Sequence, residues 1–308
     1  MKYIFGPVPS RRLGISLGID LVPFKTCSFD CIYCECGKTT KKTIIRREYV
    51  PYKNVIDEIK TFLNGKPALD YITFSGSGEP TLSSSIGKLI KFLKKHYPQY
   101  KIAVLTNGSL LYRKSVRNDL IPADLIIPSF DSASHSIFQK INRPHSRITI
   151  ERMISGLKKL RQEFKGEIWI EVFIAKSVND SSVEINKIKK VLEKIKPDRI
   201  QFNTLDRPGT IPSLKPVPEK DLKKITERIP GSEIIAKFPD KSKFYSEKSE
   251  NIEEAILRIL ARRPVTLQDL NVILNLKIAE INKYIRILKS QNKITEKKGK
   301  RGIFFILK

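Results

Sequence analysis

The stretch ISLGIDLVPFKTCSFDCIYCEC, residues 15–36, decides how this chain is read. Its first half, Ile15 to Val22, is an apolar run of strand length. Its second half holds all four cysteines of the chain, Cys27, Cys31, Cys34 and Cys36, within ten residues. Disulfides that staple a fold join distant segments, and cysteines this crowded cannot do so. They signal a metal or redox site. Three of them have the spacing C-x-x-x-C-x-x-C directly after the strand. Three thiolates can ligate three irons of a [4Fe–4S] cluster and leave the fourth iron open to a substrate, as an open zinc position is left for catalysis. Zinc is the rival, but its structural sites pair two cysteine knuckles separated by a dozen or more residues. Cys36 forms C-x-C with Cys34 and is given no cluster role.

Outward from this stretch, strand-length apolar runs alternate with helix-period segments from about residue 15 to 237. Strands are expected near 15–22, 71–74, 102–105, 125–128, 168–173 and 199–202, and helices near 55–63, 86–95, 150–161 and 183–195. Val55, Ile59, Phe62 and Leu63 recur at i, i+4, i+7 and i+8, one face of a helix. This alternation predicts parallel strands joined by helical crossovers. Six units are fewer than the eight of a closed barrel. The expected core, residues 1–237, is therefore α/β, a partial (βα)6 TIM-like barrel.

In such folds chemistry gathers at the C-terminal ends of the strands. The second strand runs into Ser75-Gly76-Ser77-Gly78-Glu79-Pro80, whose glycines permit close backbone approach to a ligand. The third ends in Thr106-Asn107-Gly108, the fourth in Ser129-Phe130-Asp131 and the sixth in Asn203-Thr204-Leu205-Asp206-Arg207. Each alone reads as loop capping; together they ring one face. Glu171 sits inside an apolar strand, where a buried carboxylate needs a partner. Arg11, Arg12, Arg143 and Arg207 fall near the mouth, suited to a carboxylate or phosphate, although in so basic a chain each also reads as surface arginine.

The cysteine spacing, with Tyr33 before the last cysteine, resembles the signature of the radical S-adenosylmethionine superfamily. PSRRLGISLGID (9–20), CSFDCIYCECGKT (27–39) and QFNTLDRP (201–208) carry the likeness over most of residues 1–210. They resemble a poorly characterised branch of iron–sulfur oxidoreductases related to wyosine-forming tRNA enzymes. The resemblance implies one [4Fe–4S] cluster on Cys27, Cys31 and Cys34, with S-adenosylmethionine on its open iron. It implies that an external one-electron reductant drives cleavage to a 5′-deoxyadenosyl radical, which abstracts hydrogen from an unknown substrate. It places Tyr33 beside the cofactor, and Gly76, Ser77, Gly78 and Glu79 at the methionyl ammonium, with Ser77 standing where the family has glycine. Thr106, Asn107, Ser129, Asp131 and Asn203 are implied at ribose and adenine. No residue is assigned as catalytic. The wyosine enzymes use further cysteines for a second cluster; here none lies outside residues 27–36, which argues against sulfur insertion and cysteine-borne methyl transfer.

Residues 238–249 read as a polar linker, and residues 250–308 as a winged helix-turn-helix domain. Asn251 with Glu254 and Thr266 with Asp269 are expected capping boxes. Ile278, Ile281, Ile285 and Leu288 form the inner face of a third helix, and a hairpin turns at Lys298–Gly302. The chain holds 58 Lys and Arg against 32 Asp and Glu, a net charge of +26. That excess favours acidic partners, and a lysine-rich genome or hot habitat produces the same number. Locally, Lys297, Lys298, Lys300 and Arg301 crowd the expected wing tip, and Lys283 and Arg286 are placed to face a groove. The expected substrate is a macromolecule, RNA ahead of protein or peptide, engaged through this domain; packing on the barrel or dimer formation is the bland alternative. An iron–sulfur-sensing DNA-binding regulator is the competing functional class. No apolar run reaches bilayer length and the N-terminus lacks a signal peptide's apolar stretch. A cytoplasmic protein without a membrane partner is expected.

Overall fold

The computed structural model describes residues 2–235, 252–274 and 276–308. The expected linker, the last residues of the expected core and the Asn251 cap lie outside them. Strand β1 (Ile4–Ser10) turns back antiparallel onto β2 (Gly14–Ile19). Two short strands, β3 (Thr26–Cys27) and β4 (Lys41–Lys42), pair in parallel and close the base of the cysteine loop. Then β5 (Tyr71–Phe74), β6 (Lys101–Thr106), β7 (Leu125–Pro128), β8 (Glu167–Ile174), β9 (Arg199–Thr204) and β10 (Ser232–Ile234) follow. The sheet order is β1-β2-β5-β6-β7-β8-β9-β10, parallel from β2 onward.

Parallel neighbours need crossovers. These are α1 (Tyr52–Leu63), α2 (Ile86–His96), α3 (Lys114–Leu120), α4 (His135–Ile141) with α5 (Ile150–Glu163), α6 (Ser182–Ile195) and α7 (Glu219–Glu227). The Thr149 and Ser181 hydroxyls accept from the N–H groups of Arg152 and Glu184 and start α5 and α6. Val55 and Ile59, Leu89 and Leu93, and Ile188 and Leu192 are fully buried against Leu17, Ile72, Val104 and Ile170 of the sheet. Each such side chain contributes about 1.5–3 kcal/mol of burial.

The six expected strands are present and parallel, and the sheet has two more than expected, the antiparallel β1 at one edge and the parallel β10 at the other, which make it mixed and eight-stranded. Gly6, Pro7 and Pro9 concealed β1. Proline lacks the N–H that a central strand must donate, and β1 is an edge strand, where that lack is tolerated. β10, with three residues, and α3 and α4, with seven each, are too short to show a period.

Beyond residue 251, α8 (Ile252–Leu260), α9 (Leu267–Leu274) and α10 (Ile278–Ser290) precede a hairpin of β11 (Ile294–Gly299) and β12 (Gly302–Leu307). Ile256, Leu270, Ile281, Ile285, Leu288 and Phe305 form their own apolar cluster. Ile278, expected on the inner face, is 42% exposed. The capping box at Thr266 and Asp269 is formed in both directions, at 3.0 and 3.1 Å. These helices rest on the sheet's strand-end loops. Arg262 reaches Asp20 at 3.3 Å and lies 3.9 Å over the Phe5 ring. Arg301 joins Asp206 at 3.0 Å to Asp269 at 2.8 Å. Among the described residues no helix is long and apolar enough to cross a membrane.

Candidate functional site

Strand β3 carries the chain into the cysteine loop, which tightens where Cys34 N–H donates to the Cys31 carbonyl at 3.2 Å. Each of three sulfurs meets a donor. Cys27 accepts from Phe29 N–H at 3.5 Å and Asn107 Nδ2 at 3.4 Å. Cys31 accepts from Asn142 Nδ2 at 3.6 Å, and Cys34 from the buried Lys25 Nζ at 2.9 Å. Donors aimed at sulfur favour the thiolate, the form that ligates metal. Burial opposes them, pushing Cys27 up to about 12 and Cys31 well above the ordinary thiol range, with Glu79 and Asp131 respectively adding to the rise. Cys34 is lowered to about 6, first by its hydrogen bond with Cys36 and then, against burial, by the Lys25 ammonium. Cys36 donates its S–H to the Arg262 carbonyl at 2.7 Å.

Among the described residues no three or more His, Cys, Asp or Glu side chains gather tightly enough to hold one metal ion. A tetrahedral zinc with Zn–S bonds of ~2.3 Å would need its thiolates about 3.8 Å apart. Cys27, Cys31 and Cys34 feel one another's charge. They are three neighbouring thiols, each with a donor, and are the residues that could hold a metal group.

Beside Cys27, Glu79 is buried at the end of the turn after β5. Its Oε1 accepts from Thr81 N–H at 3.0 Å, the Thr81 hydroxyl at 2.5 Å and the Thr106 hydroxyl at 2.6 Å. Its Oε2 accepts Asn107 N–H at 2.7 Å and retains capacity for a further donor. Burial raises its pKa although all these bonds oppose the rise. Glu79, Thr106 and Asn107 are thus one hydrogen-bonded unit touching the cysteine loop.

The glycines before Glu79 approach the protein itself. A Cβ on Gly76 would stand 2.3 Å from the Asp20 carboxyl carbon, and one on Gly78 would stand 2.1 Å from the Thr26 carbonyl oxygen. Ser77 donates to Asp20 through N–H at 3.0 Å and through its hydroxyl at 2.9 Å. At both positions a side chain would collide with the neighbouring segments, so the close backbone packing itself requires glycine.

Beside Cys31, Asp131 accepts from Tyr33 OH at 2.5 Å, Asn142 Nδ2 at 2.7 Å and Phe173 N–H at 2.9 Å. Burial lifts its carboxyl to about 6 despite these donors. The Tyr33 ring stacks on Phe173 at 3.9 Å, so its position is fixed on two sides. Asn203 donates to Glu171 at 2.8 Å, and Arg12 pairs with Glu171 at 2.7 Å. Burial raises Glu171, and Arg12 and Asn203 more than reverse it. Ser129 is placed between Thr106, whose carbonyl takes its N–H at 2.9 Å, and Glu171, its bridge partner.

Three clusters therefore form at one end of the sheet: Glu79–Thr106–Asn107, Tyr33–Asp131 and Asn203–Glu171–Arg12. Arg11, Arg12 and Arg207 line the adjoining cavity. Arg143 does not; it faces Asp30 at 3.8 Å from the far side of the loop. Arg301, expected to be offered to phosphate, is engaged by Asp206 and Asp269. Asp20, Asn142 and Glu35 carried no sequence signal beyond their nearness to a motif, because their respective partners Arg262, Cys31 and Arg207 lie 111 to 242 residues away, and Lys25 was missed although Cys34 is only nine residues on.

A family model described as the Radical SAM superfamily matches residues 21–187. A UPF0026 protein of Methanocaldococcus jannaschii, a name that states no activity, is 38% identical over 284 residues, covering 89% of this chain and 87% of that protein. A Brachyspira hyodysenteriae protein named GTPase Obg is 38% identical over 96% of this chain, which spans only 44% of that relative's length. Among solved structures, a radical SAM methyltransferase from Sphaerobacter thermophilus superposes with a TM-score of 0.56 at 14% identity, over 71% of this chain and 65% of that one. The structure of TYW1 with a lysine–pyruvate adduct bound gives 0.52 at 18% identity, over 73% and 75%. At these identities the likeness to solved structures is one of fold.

Proposed function

From the premise that this chain belongs to the radical S-adenosylmethionine superfamily and is an enzyme of it, we propose that Cys27, Cys31 and Cys34 hold its single [4Fe–4S] cluster. The carrying observation is that all three sulfurs of the family-spaced loop receive donors that favour the ligating thiolate. When bound, the cluster and S-adenosylmethionine supply a one-electron reductive cleavage giving methionine and a 5′-deoxyadenosyl radical that abstracts a substrate hydrogen.

The chain's own residues orient and enclose. Glu79 Oε2, with acceptor capacity left after Asn107, would hold the methionyl ammonium, while Oε1 is committed to Thr81 and Thr106. Tyr33, held by Asp131 and Phe173, walls the cluster side. On this reading Ser129, Asp131 and Asn203 would contact ribose and adenine. Lys25 donates to the Cys34 sulfur and offsets the negative charge gathered by the loop.

The C-terminal three helices and hairpin are read as a winged helix-turn-helix domain. Its exposed Lys283, Arg286, Lys298 and Lys300 support RNA as the macromolecular substrate. No observation favours the iron–sulfur-sensing DNA-binding regulator. The test is anaerobic cluster reconstitution followed by assay for 5′-deoxyadenosine under strong reductant. Cleavage by the native protein and its loss in Cys31→Ala are expected. No cleavage, or cleavage unaffected by Cys31→Ala, overturns the reading.

A further inference from the structure

Between the strand-end face and helices α8 and α9 lies a cavity of about 390 Å³, within the ~300–1,000 Å³ of small-molecule sites. It reaches Cys36, Gly76 and Asn203, so it opens beside the proposed cluster and cofactor site. Its walls combine apolar surface, from Phe5 and Val8 on one side and Ile259 and Leu274 on the other, with six arginines: Arg11, Arg12, Arg207, Arg258, Arg262 and Arg263. Glu35 is the acid that lines it.

Five of the six guanidiniums face carboxylates of the protein. Arg12 pairs with Glu171 at 2.7 Å, Arg207 with Glu35 at 3.2 Å and Arg262 with Asp20 at 3.3 Å. Arg258 pairs with Glu254 at 3.6 Å, and Arg11 stands 3.9 Å from Glu35 and 4.0 Å from Asp206. Those acids are shared: Glu35 serves two arginines, and Asp206 also serves Arg301. Arg263 N–H donates to the Ile259 carbonyl at 3.3 Å, but among the described residues its guanidinium has no hydrogen bond or ion pair within 4.0 Å. It is surrounded by protein, and the surface it leaves accessible lines the cavity. Burial, followed by Arg207, drives its pKa down to about 10 although Glu35 and Asp269 act from a distance to raise it, and an anion in direct contact would add to their effect. A guanidinium buried for structure alone is normally matched by a carboxylate.

We propose that this cavity is the substrate site and that Arg263, supplied by the C-terminal unit, binds a carboxylate or phosphate whose apolar body packs between β1 and α8. The proposal rests on the hydrogen-abstraction reading above and names the chemistry of what enters. It makes the C-terminal helices part of the site, with Arg263 facing the substrate. Arg207 and Arg11 share Glu35, so this acid offsets the Arg263 charge only in part.

Calorimetry on the full-length, cluster-loaded protein tests it with two matched pairs: octanoate against octanamide, and uridine monophosphate against uridine. At least one anion should bind 10- to 100-fold more tightly than its neutral partner, as expected for a charge-assisted hydrogen bond of about 1.5–3 kcal/mol. The pair that discriminates identifies the source, a free carboxylate or a nucleotide phosphate. Arg263→Gln should abolish the preference and Arg263→Lys should retain part of it. Equal affinity within both pairs overturns the proposal even if no variant folds, and so does an unchanged preference in a folded Arg263→Gln. Formation of 5′-deoxyadenosine is measured in parallel. Cleavage without anion preference sinks this proposal alone, and anion preference without cleavage sinks the cluster reading alone.

Discussion

Replacing Glu79 with glutamine tests whether its carboxylate is held as the structure shows. The side chain accepts four donors, two main-chain N–H groups and two hydroxyls, inside the protein. Glutamine has one acceptor oxygen. If that oxygen takes the Oε1 position, it keeps Thr81 and Thr106, and its NH₂ then confronts the N–H of Asn107. One charge-assisted bond, worth about 1.5–3 kcal/mol, is lost, and a buried N–H is left unsatisfied at about 1–3 kcal/mol. Removing a charge that burial disfavours returns part of this. The net expectation for Glu79→Gln is a loss of about 3 kcal/mol, read from urea denaturation of the protein without S-adenosylmethionine. The paired variant Thr106→Val should cost less on its own and be non-additive with Glu79→Gln. A Glu79→Gln protein within 0.5 kcal/mol of native, roughly a neutral surface change, would show that the four-donor geometry is wrong.

Asp131, lifted from 3.8 to about 6 by burial, binds its proton more tightly folded than unfolded. Its contribution to stability is therefore full below pH ~4 and falls by about 3 kcal/mol as pH rises to ~6; chemical denaturation across this window should show a decline that Asp131→Asn flattens, and an unchanged slope in that variant refutes the assignment. Lys25→Met removes a donor and a charge from the Cys34 sulfur and should lower the reduction potential of the reconstituted cluster; redox titration giving the native potential would count against contact at that sulfur. Asp206→Asn weakens the bridge through Arg301 to Asp269 and should cost about 1–3 kcal/mol, with faster amide exchange in α8 and α9; exchange as slow as in the native protein would deny that this bridge docks the C-terminal helices.

The alternation of apolar runs and helical stripes made the six parallel strands and four of their crossover helices legible, because burial on one stripe leaves a period in the chain. Strand β1 was hidden by Pro7 and Pro9, whose cost vanishes only at a sheet edge, and edge position is not encoded in the strand itself. The cysteine loop was legible because its three thiols are bound to one short segment. Thr106, Asn107 and Asp131 were reached by a topological argument: parallel strands place their C-terminal ends together. The glycines at 76 and 78 signalled a close backbone approach, and the structure shows Asp20 and Thr26 as the groups a side chain there would strike.

By itself the sequence determined where chemistry can start, since three cysteines within eight residues leave little freedom in how the loop closes. It also determined the layered α/β class, since periodicity is local. The tertiary structure decided which partner each charge received. Arg301 went to Asp206 and Asp269, Arg12 to Glu171, and Lys25 to Cys34, while Arg263 was left facing a cavity. Ion pairing depends on distances of a few ångströms between segments as much as two hundred residues apart, and only the packed chain sets those.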